Sequence, residues 1–276
     1  MRLGELLTWS ARLAGCDEVP ADSQVYVEAD ADVRRVLFGV DIDSTELLWA
    51  QQQGYDAVVA HHPVGEHARM DFAKVVHRQV EMMVAEGIDR GVAEAAVASR
   101  LDRIHRADHM SNYNRIVDTA RLIGMPFCNV HLACDIIGRQ EIVDMLAERV
   151  AESTRVGDVI EWLLEFPEME AAMTRPETWI GEPSKPLGRY VVAMAGGTNG
   201  GYPVFREYFK AGVDTILAMH IAEEDFHKLR AEAPANGTLL ITGHMATDSI
   251  GINRVIEGME EQGIEVTRTS GIVAGR

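Results

Sequence analysis

The sequence is short of basic residues, and this shortage bears on the partners it can have. Its 26 Lys and Arg residues stand against 43 Asp and Glu residues, which gives a formal net charge of −17. Because proteins that bind a phosphate backbone carry basic surfaces, the charge argues against a nucleic-acid partner. A small anionic substrate stays compatible with it, since bound metal ions would dominate the local field.

Cysteine and long apolar runs are also scarce. The three cysteines, Cys16, Cys128 and Cys134, form no CxxC pair, and an odd number favours reduced thiols in a cytosol over a disulfide framework. No apolar run approaches the ~18 residues of a membrane span, and the N-terminus lacks a charged-then-apolar signal pattern. The sequence therefore predicts a soluble, cytoplasmic protein with no membrane association.

The chain does contain short apolar strands that end in polar residues. The clearest is Ala57–Ala60, a continuous apolar run typical of a strand covered on both faces, followed directly by His61, His62 and Pro63. Ligands bind at the carboxyl ends of strands in α/β sheets, and the twist into the loop can turn both imidazoles toward one cavity. Two neighbouring nitrogen ligands suit a pair of metal ions. A structural histidine beside a surface histidine is the alternative.

The order of the elements predicts an α/β fold. A buried strand at 36–40 precedes a helix over 45–53, which Ser44 or Asp43 can cap, and the 57–60 strand follows. This is a βαβ unit, whose two strands are parallel. Residues 71–123 show mainly helical spacing, and further buried strands are expected at 190–194, 213–219 and 238–242. We therefore predict parallel or mixed sheets flanked by helices.

Two other features of the chain leave alternatives open. His105 and His109 lie on an Arg-flanked polar stretch, where a solvated helix face is expected, although one of them could line the cavity as a proton carrier. The glycine-rich stretch 195–201 could cradle an anion through backbone N–H groups, but it has neither nucleotide-binding spacing and also fits a flexible turn. The Pro- and Glu-rich stretch 165–188 is typical of a surface connection.

Two more strand ends carry candidate metal ligands. His131 and Asp135 follow the strand near 127–130, and a plainer interpretation has His131 in the core and Asp135 capping a helix that begins near Arg139. His244 and Asp248 follow the 238–242 strand and are four residues apart, so one helical turn aims both at one point. Imidazole and carboxylate together suit Zn, Mn, Fe or Ni, and carboxylates can bridge two ions. The three strand ends together predict a metal site.

The motifs AHHP, HLACD and GHMATDSIGI together resemble the GTP cyclohydrolase I type 2 homologue family, also called NIF-three-like proteins. The resemblance covers nearly the whole chain in order, including the stretches VVAMAGGTNGG and GVDTILAMH. It implies a two-domain α/β protein with a metal-site domain at 1–138 and 236–276 and a second domain at 139–235. It also implies a toroidal homohexamer and two divalent ions per chain. The implied ligands are His61, His62, Asp135, His244 and Asp248.

The chain departs from the family pattern in three places. Asp248 stands where the family usually has Glu, so the backbone must come closer to the metal. The helical region 71–123 is longer than in many members, and the N-terminal stretch similar to WDNVGL is absent. These departures indicate a divergent branch, whose substrate need not be that of the family.

The resemblance implies metal-assisted hydrolysis. Two ions about 3.5–4 Å apart would deprotonate a bridging water near neutral pH, and the resulting metal-bound hydroxide would attack a bond that the metals polarise. His131 would orient Asp135 from the second shell. The implied substrate is a nucleotide or related heterocycle, as in GTP ring opening. The alternative is a metal-stabilised interaction or regulatory scaffold, which would have closed metal coordination where an enzyme keeps an open position.

Overall fold

Nine β-strands form two sheets in the computed structural model, which describes residues 1–275 of the chain. The strands of the first sheet are β1 (Gln24–Val27), β2 (Arg35–Gly39), β3 (Ala57–Ala60), β4 (Phe127–Asn129) and β9 (Glu265–Thr269). Those of the second sheet are β5 (Glu177–Ile180), β6 (Tyr190–Val192), β7 (Thr215–Ala218) and β8 (Thr238–Ile241).

Helices account for most of the remaining described residues. Those of the first half are α1 (Leu3–Leu13), α2 (Ser44–Gln52), α3 (Glu66–Met70), α4 (Phe72–Val76), α5 (Arg78–Ala85), α6 (Arg90–Met110) and α7 (Arg115–Ile123). Those of the second half are α8 (Leu132–Arg149), α9 (Val156–Leu163), α10 (Pro167–Ala171), α11 (Gly201–Lys210), α12 (Glu223–Glu232) and α13 (His244–Glu261). The alternation of strands and helices confirms the predicted α/β class.

The chain divides into two compact units. Unit 1 comprises Met1–Val75, Ile104–Ile137 and Asp248–Ile272, and unit 2 comprises Val76–Arg103, Gly138–Thr247 and Val273–Arg276. This division differs from the predicted boundaries (1–138 with 236–276, and 139–235) in three segments, 76–103, 236–247 and the one that begins at Val273, which group with unit 2.

Packing explains the two longer segments, 76–103 and 236–247. Helix α5 and the first half of α6 bury Val80, Met83 and Val97 in one apolar core with Phe205 and Tyr208 of α11, so these helices belong with the second sheet. Strand β8 pairs in parallel with β7, which places the 238–241 segment in the same sheet. Such long-range packing leaves no local mark in the sequence.

The sheet of unit 1 has the strand order β1-β4-β3-β2-β9. Its central strands are parallel, while β1 runs antiparallel to β4 at one edge. The predicted βαβ unit is present as β2, α2 and β3, and Asp43 is the N-cap residue of α2. All four residues of β3 are buried, because helices cover the faces of a parallel sheet. The sheet therefore delivers the chain to His61 at its carboxyl edge.

The sheet of unit 2 has the order β5-β8-β7-β6, with three parallel strands and β5 antiparallel at one edge. Strand β5 and helix α10 lie in the stretch 165–188, which the sequence analysis treated only as a surface connection. The residues of β5 alternate between exposed and half-buried. An edge strand of this kind has no continuous apolar run, so its pattern is weak.

Helix α8 begins earlier than the sequence suggested. Its first residue is Leu132 and not a residue near Arg139, so Asp135 lies inside the first turn. The interpretation of Asp135 as a helix cap is therefore wrong, because a cap residue precedes the first helical residue. Instead, the turn directs the Asp135 side chain into the interior, where it is buried.

A glycine holds the loop after the histidine pair against α7. Gly65 is buried, and a Cβ atom there would lie 2.2 Å from the Tyr113 carbonyl oxygen and 2.9 Å from a Val117 methyl group. Since its φ of −176° is ordinary extended backbone, close packing alone requires glycine here.

We expect Gly65→Ala to lower the free energy of unfolding by about 1–3 kcal/mol, the usual cost of forcing a methyl group into a packed interior. Thermal or urea unfolding measures it. Gly91→Ala is the matched control, because Gly91 is exposed and its Cβ would meet only the flexible Asp89 carboxylate at 3.2 Å. Equal stability of the two variants would show that the Gly65 contact is not tight.

Candidate metal centre

Two adjacent histidines stand where β3 ends. His61 is fully buried and His62 is half-buried, and the centroids of their rings are 5.0 Å apart. Adjacent residues within a strand point to opposite faces, but these two follow the last strand residue, Ala60. The backbone of the loop brings both imidazoles to the same carboxylate, that of Asp248.

The start of α8 contributes the second pair of side chains. His131 immediately precedes the helix and Asp135 lies in its first turn, and both side chains are buried. The ring centroid of His131 is 4.8 Å from that of His61 and 5.6 Å from that of His62. Three imidazoles therefore converge at the carboxyl edge of this sheet.

The last contribution comes from α13. The helix begins at His244, and Asp248 lies one turn later on the same element and is buried. The unit boundary falls inside this helix, after Thr247. One ligand atom each from His61, Asp135 and Asp248, all residues of unit 1, lie within 4.8 Å of one another.

Each of the three imidazoles is oriented through its Nδ1 atom. The Nδ1 atom of His61 lies 3.1 Å from the Val130 carbonyl oxygen, that of His62 2.8 Å from Asp41 Oδ1, and that of His131 2.6 Å from Asp22 Oδ2. A carbonyl or carboxylate oxygen can only accept, so each Nδ1 carries the proton and donates it. When a cation takes the place of a proton on Nε2, each ring presents its Nε2 lone pair to that cation. Histidines that bind metals characteristically donate their other ring N–H in this way.

The Nε2 atoms face carboxylates at distances longer than hydrogen bonds. His61 Nε2 is 3.3 Å from Asp135 Oδ1 and 3.8 Å from Asp248 Oδ2, and His62 Nε2 is 3.7 Å from the same Asp248 oxygen. Two donor atoms on one tetrahedral ion with bonds near 2.0–2.1 Å would be about 3.3 Å apart. The separations suit donors that share an ion.

Two buried atoms of this group indicate whether its residues fit a metal ion. Within residues 1–275, neither His61 Nε2 nor Asp135 Oδ1 has a hydrogen-bond partner, although both atoms are shielded from solvent. A buried polar atom left unpaired costs free energy, and a buried carboxylate costs more. A divalent cation would satisfy both atoms at once, so the residues present fit a metal.

The electrostatics of the side chains are dominated by the aspartates. Burial opposes the charged form of His131, but the carboxylates of Asp135 and Asp22 outweigh it and raise its pKa to about 9. Burial also opposes the charged form of His62, but the nearby carboxylates of Asp248 and Asp41 outweigh it and raise its pKa. The protein alone thus attracts positive charge to this position, as a cation site must.

The other histidines of the helical region lie elsewhere. His105 and His109 are exposed on α6, with their ring centroids 4.5 Å apart, as the solvated-face interpretation predicts.

In unit 2, hydrogen bonds fix the glycine-rich turn after β6, so it is not a free loop. Gln79 donates hydrogen bonds to the carbonyl oxygens of Gly196 and Thr198. Arg100 donates to the carbonyl of Asn199 in the same turn.

Two functional candidates escaped the sequence analysis. Asp41 directly follows β2, and its place at a strand end could have singled it out. Asp22 lies in a loop before β1 and is 109 residues from its partner His131, so nothing local marks it.

No helix among the described residues is long and apolar enough to cross a membrane.

Comparison with known proteins places the chain in a family. No family model and no curated protein matches it. A NIF3 superfamily protein from Sphaerobacter thermophilus is 42% identical, with 98% of each chain covered and a TM-score of 0.94. Two more distant structures share the fold: TTHA1606 from Thermus thermophilus, at 15% identity, 97% of each chain and a TM-score of 0.54, and ybgI, a protein of unknown function, at 16%, 98% and 0.54. The chain belongs to the NIF3 superfamily.

Proposed function

We propose that the protein is a dinuclear metal-dependent hydrolase that acts on a nucleotide or a related heterocycle. The observation that carries the proposal is the pair His61 Nε2 and Asp135 Oδ1, both buried, both without a hydrogen bond among the described residues, and 3.3 Å apart. The ions would be held by His61, His62, Asp135, His244 and Asp248. Zn, Mn, Fe and Ni all suit such a mixture of imidazole and carboxylate.

The carboxylate of Asp248 is in a position to bind both of the proposed ions. Its Oδ2 atom lies 3.8 Å from His61 Nε2 and 3.7 Å from His62 Nε2, between the two imidazoles. The side chain is one methylene shorter than the Glu that the family resemblance implies, and the first turn of α13 carries it close to the histidines. A carboxylate in this position supports a bridging role, as the two-ion proposal needs.

Two divalent ions bound here would activate water as a nucleophile near neutral pH and polarise the bond to be broken. The side chains of the protein fix the positions of the ligands through the three Nδ1 hydrogen bonds. Burial of His61, Asp135 and Asp248 keeps competing water away from the ligand atoms. His62 is half-buried, and this side of the cluster is therefore the one a substrate would approach.

The substrate class rests on the family resemblance and on the site chemistry, and the homohexamer rests on the resemblance alone. Exposed apolar side chains on α2 and α7 of unit 1 are compatible with an assembly: Leu48, Trp49 and Leu122 are each more than 40% exposed. Sedimentation or light scattering gives the mass of the assembly directly, and a monomer would contradict the hexamer.

We expect His61→Ala to weaken binding of Zn²⁺ or Mn²⁺ by more than about 100-fold, because loss of partners outside the coordination sphere alone costs 10–100-fold. Metal content per chain, measured on protein purified without a histidine tag, and calorimetric titration check this. His109→Ala is the matched control, since His109 is exposed on α6. Wild-type metal content in His61→Ala would contradict the site.

Activity separates an enzyme from a scaffold. With about two ions per chain restored, the wild-type protein should hydrolyse members of a panel of nucleotides and phosphoesters, and His61→Ala should be inactive while His109→Ala is not. Full metal loading with no turnover on the panel, together with fully closed coordination, would contradict the hydrolase and leave the metal-stabilised scaffold.

A third prediction concerns Asp248, whose side chain is one methylene shorter than the Glu that the family resemblance implies. Asp248→Glu should keep its metal, because Glu supplies the same ligand chemistry, although the added methylene in a buried site costs about 1–3 kcal/mol of stability. Metal content and unfolding of the loaded protein measure the two effects. Asp144→Glu is the control, because Asp144 is an exposed residue of α8. Complete loss of metal in Asp248→Glu would show that this centre has been rebuilt around Asp.

A further inference from the structure

A sixth side chain in the cluster has the geometry of a ligand. His131 Nε2 lies 3.8 Å from Asp135 Oδ2, too far for a hydrogen bond, and one ring nitrogen each from His61, His62 and His131 lie within 4.8 Å of one another. Its Nδ1 atom donates a hydrogen bond to Asp22, so Nε2 is the ring atom on the side of the other histidines, where it can bind a cation in place of a proton.

The partner of His131 is unusual because it is a fully buried carboxylate. Asp22 has no exposed surface, and its Oδ2 atom lies 2.6 Å from His131 Nδ1. By contrast, Asp41, which holds His62 in the same way, has a side chain that is 74% exposed. A buried carboxylate is costly unless a positive charge compensates it. Among residues 1–275, Asp22 Oδ1 has no hydrogen-bond partner, so its compensation must come through His131.

Anchoring the loop before β1 does not require this carboxylate. Asn129 Nδ2 donates to the backbone carbonyl of Asp22 at 2.6 Å, and the hydroxyl of Tyr26 donates to Asn129 Oδ1 at 2.8 Å. The backbone N–H of His131 donates to Ser23 Oγ at 3.0 Å. The main chain and neighbouring side chains hold the segment, which leaves the Asp22 side chain to His131.

We propose that His131 is a direct metal ligand and that Asp22 is its positioning residue, which fixes the ring with Nε2 toward the centre and supplies negative charge behind it. This rests on the proposed metal centre and adds a sixth residue to the five ligands that the resemblance implies. It also replaces the second-shell role expected for His131. Carboxylate–histidine–metal triads of this form raise the basicity of the imidazole and tighten metal binding.

Titration of the full-length, metal-free chain with Co²⁺ tests the proposal, followed by calorimetry and by the visible absorption of the bound ion. In Asp22→Asn we expect one of the two ions to bind about 10–100-fold more weakly. In His131→Ala we expect the same site to weaken further and its visible bands to shift, because an imidazole is lost from the coordination sphere. His109→Ala, at an exposed position of α6, is the control and should bind Co²⁺ as the wild type does.

The double variant Asp22→Asn/His131→Ala decides whether Asp22 acts through the ring. We expect it to bind Co²⁺ as His131→Ala does, with no additional loss. Additive losses would overturn the positioning role. Unchanged affinity and bands in His131→Ala, with the wild type binding two ions, would overturn the inference and leave the metal centre standing. A wild type that binds no Co²⁺ would instead contradict the proposed function itself. Thermal unfolding of each metal-free variant checks that the fold is intact.

Discussion

The site depends on one recurring interaction, a hydrogen bond from the Nδ1 atom of a histidine to an oxygen behind it. It occurs three times, on Val130, Asp41 and Asp22, and each time it leaves Nε2 facing the buried aspartates. Without these bonds, the rings could rotate or adopt the other tautomer, and the lone pairs would not converge. The sheet of unit 1 supplies the frame, since the ends of β3 and β4 place His61 and Val130 at one edge.

The cost of such a site is that buried hydrogen-bond acceptors are left without a donor. Within residues 1–275, His61 Nε2 and Asp135 Oδ1 are buried without hydrogen bonds, and so is Asp22 Oδ1 behind His131. A well-packed apolar replacement would stabilise the fold more. A bound cation would satisfy these groups, and the buried cluster of histidines and aspartates is of a kind that can hold one.

The local parts of this architecture could be predicted from the sequence. Apolar runs such as Ala57–Ala60 predict buried strands, and polar residues at their ends predict a site, because both signals lie within a few residues of each other. Edge strand β5 and the unit to which α5 belongs could not be predicted, since their burial depends on distant packing. Asp22 was missed for the same reason: only the folded chain brings it to His131.

The two carboxylates behind the histidines differ in their access to solvent, and this makes the centre asymmetric. The side chain of Asp41 is exposed to solvent, where dissolved salt screens its electrostatic attraction to His62. Asp22 is buried behind His131, where counter-ions do not reach it. Rising ionic strength should therefore weaken the attraction between Asp41 and His62 more than that between Asp22 and His131. A metal ion bound by His62 would then exchange with solvent faster than one bound by His131.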